Sequence, residues 1–130
     1  MKIVFFGNAD FGCNALESLV KSRVHDVISV ITNKDKKSGR NLKLLPSPIK
    51  TLSQKLGLNI LEVNNLKKPE LIDFLKKISP DIFVVIAYKI IPKQIYSIPN
   101  YGSINVHASL LPAYKGAAPI QRAIINDERY

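Results

Sequence analysis

A chain of 130 residues with 46% apolar and 22% charged residues is long enough to close one hydrophobic core and too apolar for a disordered tail. Its 19 lysines and arginines against 10 acidic residues leave a formal net charge of +9, which suits an anionic partner such as nucleic acid and equally a composition rich in lysine with no such partner. No apolar run is long enough to span a bilayer, Met1 to Gly7 is too short for a signal peptide, and the single Cys13 can form no internal disulfide. These features point to one domain in a reducing cytoplasm, with no membrane and no evident protein partner.

Lys2 to Phe6 is a continuous apolar run, as a parallel strand buried on both faces requires. It meets the glycine-bearing turn Gly7-Asn8-Ala9-Asp10-Phe11-Gly12 and then an amphipathic helix, Cys13 to Lys21, with Leu16, Leu19 and Val20 on one face and Asp10 as its candidate cap. Gly7 allows a tight turn, but the G-x-G-x-x-G spacing of dinucleotide sites is absent. Val24 to Thr32 is a second strand, rich in β-branched residues. Asn33 to Lys50 follows as a basic loop, Lys34, Lys36, Lys37, Arg40, Lys43 and Lys50 against one Asp35. Ser38-Gly39 and Pro46-Ser47-Pro48 make it irregular. Like charge at this density beside strand ends suits contact with phosphates more than a solvated loop with no role, the alternative.

Ile49 to Leu56 is a helix stopped by Gly57, and Leu58 to Val63 is a short third strand. Pro69 to Lys77 is a helix with Leu71, Ile72, Leu75 and Ile78 as its apolar stripe. Ile82 to Ala87, the most hydrophobic strand, is expected at the centre of the sheet. A loop at Tyr88 to Pro92 and a short helix within Lys93 to Ile98 lead to the last strand, Ser103 to His107, and Ala117 to Ile125 starts a further helix. Strands and helices alternating in this way build a doubly wound parallel α/β sheet.

On the last strand Asn105 and His107 lie two residues apart and so share a face. The loop after them carries Ser109 and Pro112, and open α/β sheets place their ligands at such carboxyl ends. A neutral amide beside a histidine suits stabilisation of an oxyanion at a carbonyl carbon, and the imidazole can carry a proton. Equally, the two side chains could only satisfy a strand end. With His25 and Cys13 as the other candidates there is no zinc spacing, and nothing resembles a nucleophile elbow.

Asn105-Val106-His107-Ala108-Ser109-Leu110-Leu111-Pro112 resembles the motif of the folate-dependent formyltransferase family, whose fold is a Rossmann-like sheet. Lys115-Gly116-Ala117-Ala118-Pro119-Ile120-Gln121-Arg122, Leu45-Pro46-Ser47-Pro48-Ile49-Lys50 and the opening Phe6-Gly7-Asn8-Ala9-Asp10-Phe11 are similar to the branch of that family acting on methionyl-tRNA. The resemblance runs along essentially the whole chain. It implies formyl transfer from 10-formyltetrahydrofolate to the amino group of methionine on initiator tRNA, in translation initiation and without a metal. Asn105 and His107 match the residues that stabilise the tetrahedral oxyanion and handle protons. Ser109, Leu110, Leu111 and Pro112 match the folate-contacting loop. The basic segment with Lys36, Lys37, Arg40 and Lys43 matches the part that engages the tRNA acceptor end.

Against the same pattern, residues 1–130 read as an incomplete N-terminal formyltransferase domain. The family's third catalytic residue, an aspartate, lies a few dozen residues past the histidine, and a C-terminal β-barrel helps to hold tRNA. The 130-residue chain is therefore expected to be inactive alone, with an uncovered, apolar sheet edge. Lys89 stands where the family usually has a glycine after the Ala87-Tyr88 equivalent, in a loop bordering the folate pocket, and Lys115 stands where arginine is commoner. The alternatives are a sugar-nucleotide or purine-pathway formyltransferase, or a non-catalytic folate- or RNA-binding remnant.

Overall fold

The computed structural model of the chain describes residues 1–38, 43–116 and 118–128. Strand β1 (Lys2–Gly7) is buried from Ile3 to Gly7, as its apolar run requires. A 3-10 turn at Asp10–Gly12 then leads into α1 (Cys13–Lys21), and β2 (Asp26–Thr32) returns parallel to β1. Asp10 does not cap α1. The helix starts straight from the 3-10 turn, its N-cap position is Gly12, and Asp10 sits one turn too early to serve it. Gly7 has no left-handed backbone. A Cβ there would lie 2.8 Å from Phe5 Cε1 and 3.2 Å from the Ile86 carbonyl, so close packing between strands, and not a tight turn, calls for glycine.

The basic segment is more regular than its composition suggests. It holds an antiparallel ribbon, β3 (Lys36–Ser38) against β4 (Lys43–Leu45), with Lys36 opposite Leu45 and Ser38 opposite Lys43. Helix α2 (Pro48–Lys55) follows with Ser47 as its cap, the hydroxyl accepting from the Lys50 amide. Its end is fixed by Gly57 at φ +67°, the left-handed residue expected after a helix. Next come β5 (Ile60–Glu62), α3 (Pro69–Ile78), β6 (Ile82–Ile86), the single turn α4 (Lys93–Tyr96), β7 (Ser103–Val106) and α5 (Pro119–Ile125).

The five main strands are all parallel, in the order β5-β2-β1-β6-β7. The central strand is therefore β1, not β6. Both are interior strands with helices on both faces, so both read as unbroken apolar runs and hydrophobicity alone could not rank them. On one face Ile3, Phe5, Val30, Val84 and Ile86 pack with Leu16 of α1 and Ile49 of α2. On the other, Val4, Phe6, Ile31, Phe83 and Val85 pack with Leu71 and Leu75 of α3 and Ile95 of α4. The chain reverses its direction of winding between β1 and β6, which opens a crevice beyond their carboxyl ends. Strand β7 lies at the sheet edge with all four residues exposed, Ile104 at 52% and Val106 at 45%. Among the described residues no helix is long and apolar enough to cross a membrane.

Candidate active site at the carboxyl end of the edge strand

Two facts fix the faces of β7. Ile104 and Val106 line an apolar hollow of about 480 Å³ beside Ala15, Leu19 and Val24 of the α1 region. Ser103, one residue out of step, donates its hydroxyl to the Tyr96 carbonyl of α4 at 2.9 Å. Asn105 follows the Ser103 phase and so looks to the α4 side, in register with Val85 of β6. Its side chain is exposed, free to meet a ligand beyond the strand end.

His107 is the first residue past the strand and is half-buried. Its Nε2 lies 2.8 Å from the carbonyl oxygen of Tyr114. A carbonyl only accepts, so Nε2 carries the proton and donates it. In the neutral ring the lone pair is then on Nδ1, the atom left to accept a proton. Between the two partners the chain makes a compact loop. The Ser109 hydroxyl donates to the Ala113 carbonyl at 2.7 Å, the Ala113 amide donates to the Leu110 carbonyl at 3.0 Å, and the Leu111–Pro112 peptide is cis. Leu110 and Leu111 project into solvent, 75% and 62% exposed. Ser109, Leu110, Leu111 and Pro112 thus form one turn with exposed apolar side chains, directly after the Asn105–His107 pair.

The loop is tied down at its far end. Tyr114, in a left-handed conformation at φ +51°, donates its hydroxyl to Glu128 Oε1 at 2.6 Å and accepts from Asn126 Nδ2 at 2.8 Å. The bond to Glu128 raises the phenol above its ordinary range. Tyr114 therefore links the histidine, through its carbonyl, to the end of α5, through its hydroxyl. No motif marks it, because its first job is done by a backbone atom that every residue has.

The crevice side of the site carries Tyr88. Its ring packs edge-on to Phe6 at 5.5 Å. Its hydroxyl is buried with no hydrogen-bond partner among the described residues, and burial pushes the phenol up to about 12. Lys89, placed after Tyr88 where a glycine was the expectation, lays its ammonium 5.5 Å from the Tyr88 ring centre and donates to the carbonyls of Val63 and Asn64 at 3.0 and 2.8 Å. It stitches the loop after β6 to the end of β5.

The basic residues lie elsewhere on the same end of the sheet. The ribbon bearing Lys36, Lys37 and Lys43 grows from the carboxyl end of β2, three strand positions from β7, roughly 14 Å away at ordinary strand spacing. Arg40 lies outside the described residues. Lys50, counted with this charge in the sequence, belongs to α2 and is spent on Asp35 and Glu62. Among the described residues no three His, Cys, Asp or Glu side chains are placed to hold a metal ion.

Comparison with known proteins gives this arrangement a family. A family model described as formyl transferase matches residues 1–130. Methionyl-tRNA formyltransferase of Caldicellulosiruptor saccharolyticus is 47% identical over 132 residues, which covers 100% of this chain and 42% of that protein. The protein of the same name from Sulfurihydrogenibium sp. is 47% identical over 127 residues, 96% of this chain and 40% of its own. Among solved structures, phosphoribosylglycinamide formyltransferase from Anaplasma phagocytophilum superposes with a TM-score of 0.68 over 97% of this chain and 58% of that one. At 21% identity that likeness is one of fold. The chain spans about two fifths of the length of the curated relatives it matches. The chain belongs to the formyl transferase family.

Proposed function

We propose that residues 1–130 form the N-terminal part of a domain that transfers a formyl group from 10-formyltetrahydrofolate to the amino group of methionyl initiator tRNA. The observation that carries this reading is the Asn105–His107 pair at the open end of β7, with one side chain exposed and the other held in a defined tautomer by the Tyr114 carbonyl. The names of the relatives supply the acceptor.

The donor brings an activated one-carbon carbonyl. Asn105 offers an amide N–H to the oxygen that gains charge when an amine adds to that carbon, and a preset donor of this kind stabilises the transition state more than the ground state. His107 Nδ1 takes a proton from the attacking amine, because Nε2 is already donating. As the intermediate collapses, the bond from the formyl carbon to the donor's nitrogen breaks and that nitrogen leaves with a proton. Ser109, Leu110, Leu111 and Pro112 hold the folate. The exposed apolar side chains of Leu110 and Leu111 offer a surface that fits the flat heterocycle. Lys36, Lys37, Arg40 and Lys43 contact the tRNA phosphates, and the reaction takes place in the cytoplasm.

The test is formylation of charged initiator tRNA, with a purine-pathway amine and a sugar-nucleotide amine as competing acceptors. Residues 1–130 are assayed as they stand and also joined to the remaining three fifths of the Caldicellulosiruptor relative. The fusion is expected to formylate the tRNA and leave the other amines untouched. The 130-residue chain alone is expected to fall short by orders of magnitude, as coupled catalytic groups do when one member is missing. Preference for a small amine over the tRNA would overturn the acceptor assignment.

A further inference from the structure

The basic ribbon hangs from the sheet by two short tethers, Asn33 to Asp35 leaving β2 and Pro46-Ser47 entering α2. Lys50 sits across both. Its Nζ lies 2.7 Å from Asp35 Oδ2 and 2.9 Å from Glu62 Oε1. Its own amide is fixed by the Ser47 hydroxyl at 3.1 Å. Asp35 is the residue immediately before β3, and Glu62 ends β5, opposite Thr32 at the end of β2. One ammonium thereby joins the outgoing tether, the returning helix and the sheet edge.

This is not an ordinary surface ion pair. A solvated lysine keeps its head in water and gains little from a partner. The Lys50 side chain is only 13% exposed, and its two carboxylates come from different elements. Hydrogen bonds from Asp35 first, then Glu62, hold the ammonium above its ordinary range. Lys50, Asp35 and Glu62 together carry one net negative charge, so the cluster adds nothing positive to the ribbon it spans.

We propose that Lys50 is a positioning residue: with Asp35 and Glu62 it ties together the points where the chain enters β3 and leaves β4 and fixes that ribbon against the β2–β5 edge, so that its cationic strands meet RNA in one orientation. The clause about RNA rests on the tRNA reading above, and the clamp does not.

Two substitutions of opposite charge separate a clamp from a simple field effect. Lys50→Met removes a positive charge and Asp35→Asn removes a negative one. Amide exchange in β3 and β4 is expected to speed up on the order of tenfold in both, with β1 and β6 unchanged as the internal control for folding, and to stay near wild type in Lys50→Arg. Initiator tRNA should bind several-fold more weakly to both, although Asp35→Asn makes the protein more positive. The salt slope should stay the same in both, because neither residue contacts phosphate. Unchanged exchange in β3 and β4 in both variants overturns the clamp, and so does tighter tRNA binding by Asp35→Asn with unchanged exchange. Faster exchange with unaltered tRNA affinity supports the clamp and instead removes the ribbon from the RNA surface.

Discussion

Asp81 shows how single contacts hold the amino-terminal end of the sheet. Its Oδ2 accepts the Lys2 amide at 2.7 Å, its own amide donates to the Lys2 carbonyl at 2.9 Å, and Asn100 Nδ2 reaches Oδ1 at 3.4 Å. The Lys2 amide, and then Asn100, keep the carboxyl below the usual carboxylate range. A depressed folded-state pKa stabilises the fold above the unfolded value near 4 and loses that contribution as pH falls through the folded one. The stability gap between wild type and Asp81→Asn is therefore expected to be full at pH 7 and to shrink below about pH 4. Urea unfolding at a series of pH values measures it, and a gap that does not change with pH would contradict this assignment. At the same scale the sequence singled out Asn105 and His107 by a two-residue spacing on an expected strand, although that strand ends at Val106 and His107 lies just past it. It was silent on Tyr114, whose carbonyl acts on His107, and on the pairing that takes Lys50 out of the exposed charge.

Among the elements, the basic ribbon and the edge strand carry the expectations that matter for partners. If β3 and β4 present cations to phosphate, tRNA affinity should fall steeply with salt, and replacing Lys36, Lys37 and Arg40 by Gln should flatten the slope by about one unit per lost phosphate contact. An affinity independent of salt would contradict an electrostatic role. Strand β7 presents an unpaired edge among the described residues, its Ile104 and Val106 are exposed, and so are Leu110, Ile124 and Ile125 further along the chain. Such an edge invites pairing between chains. The 130-residue chain is expected to self-associate as its concentration rises, which sedimentation would show. A clean monomer across the range would contradict it. Element types were legible in the sequence because their apolar periods differ. The ribbon was not, since three-residue strands have too little alternation to stand out from a charged loop. The rank of β6 within the sheet was not either, since strand order is decided by crossovers that leave no local trace.

For the molecule as a whole, the strand order β5-β2-β1-β6-β7 brings all the proposed machinery to one end of the sheet. The basic ribbon rises from β2, the Tyr88–Lys89 loop from β6, and the Asn105–His107 pair from β7. A parallel sheet makes this possible because every carboxyl end points the same way. The family motif was readable because it lies in one unbroken stretch from Asn105 to Pro112. The distance from that stretch to the basic ribbon was not readable, as it depends on two strands lying between them. In the proposed reaction Asn105 and His107 carry formyl transfer. The most direct measurement is the rate of formylmethionyl-tRNA formation by residues 1–130 joined to the rest of the Caldicellulosiruptor relative, with and without those two side chains. Asn105→Ala is expected to lower kcat by about 10²–10³ and His107→Ala by about 10²–10⁴, with tRNA affinity little changed in both. Formylation at the unaltered rate in either folded variant would contradict the central claim.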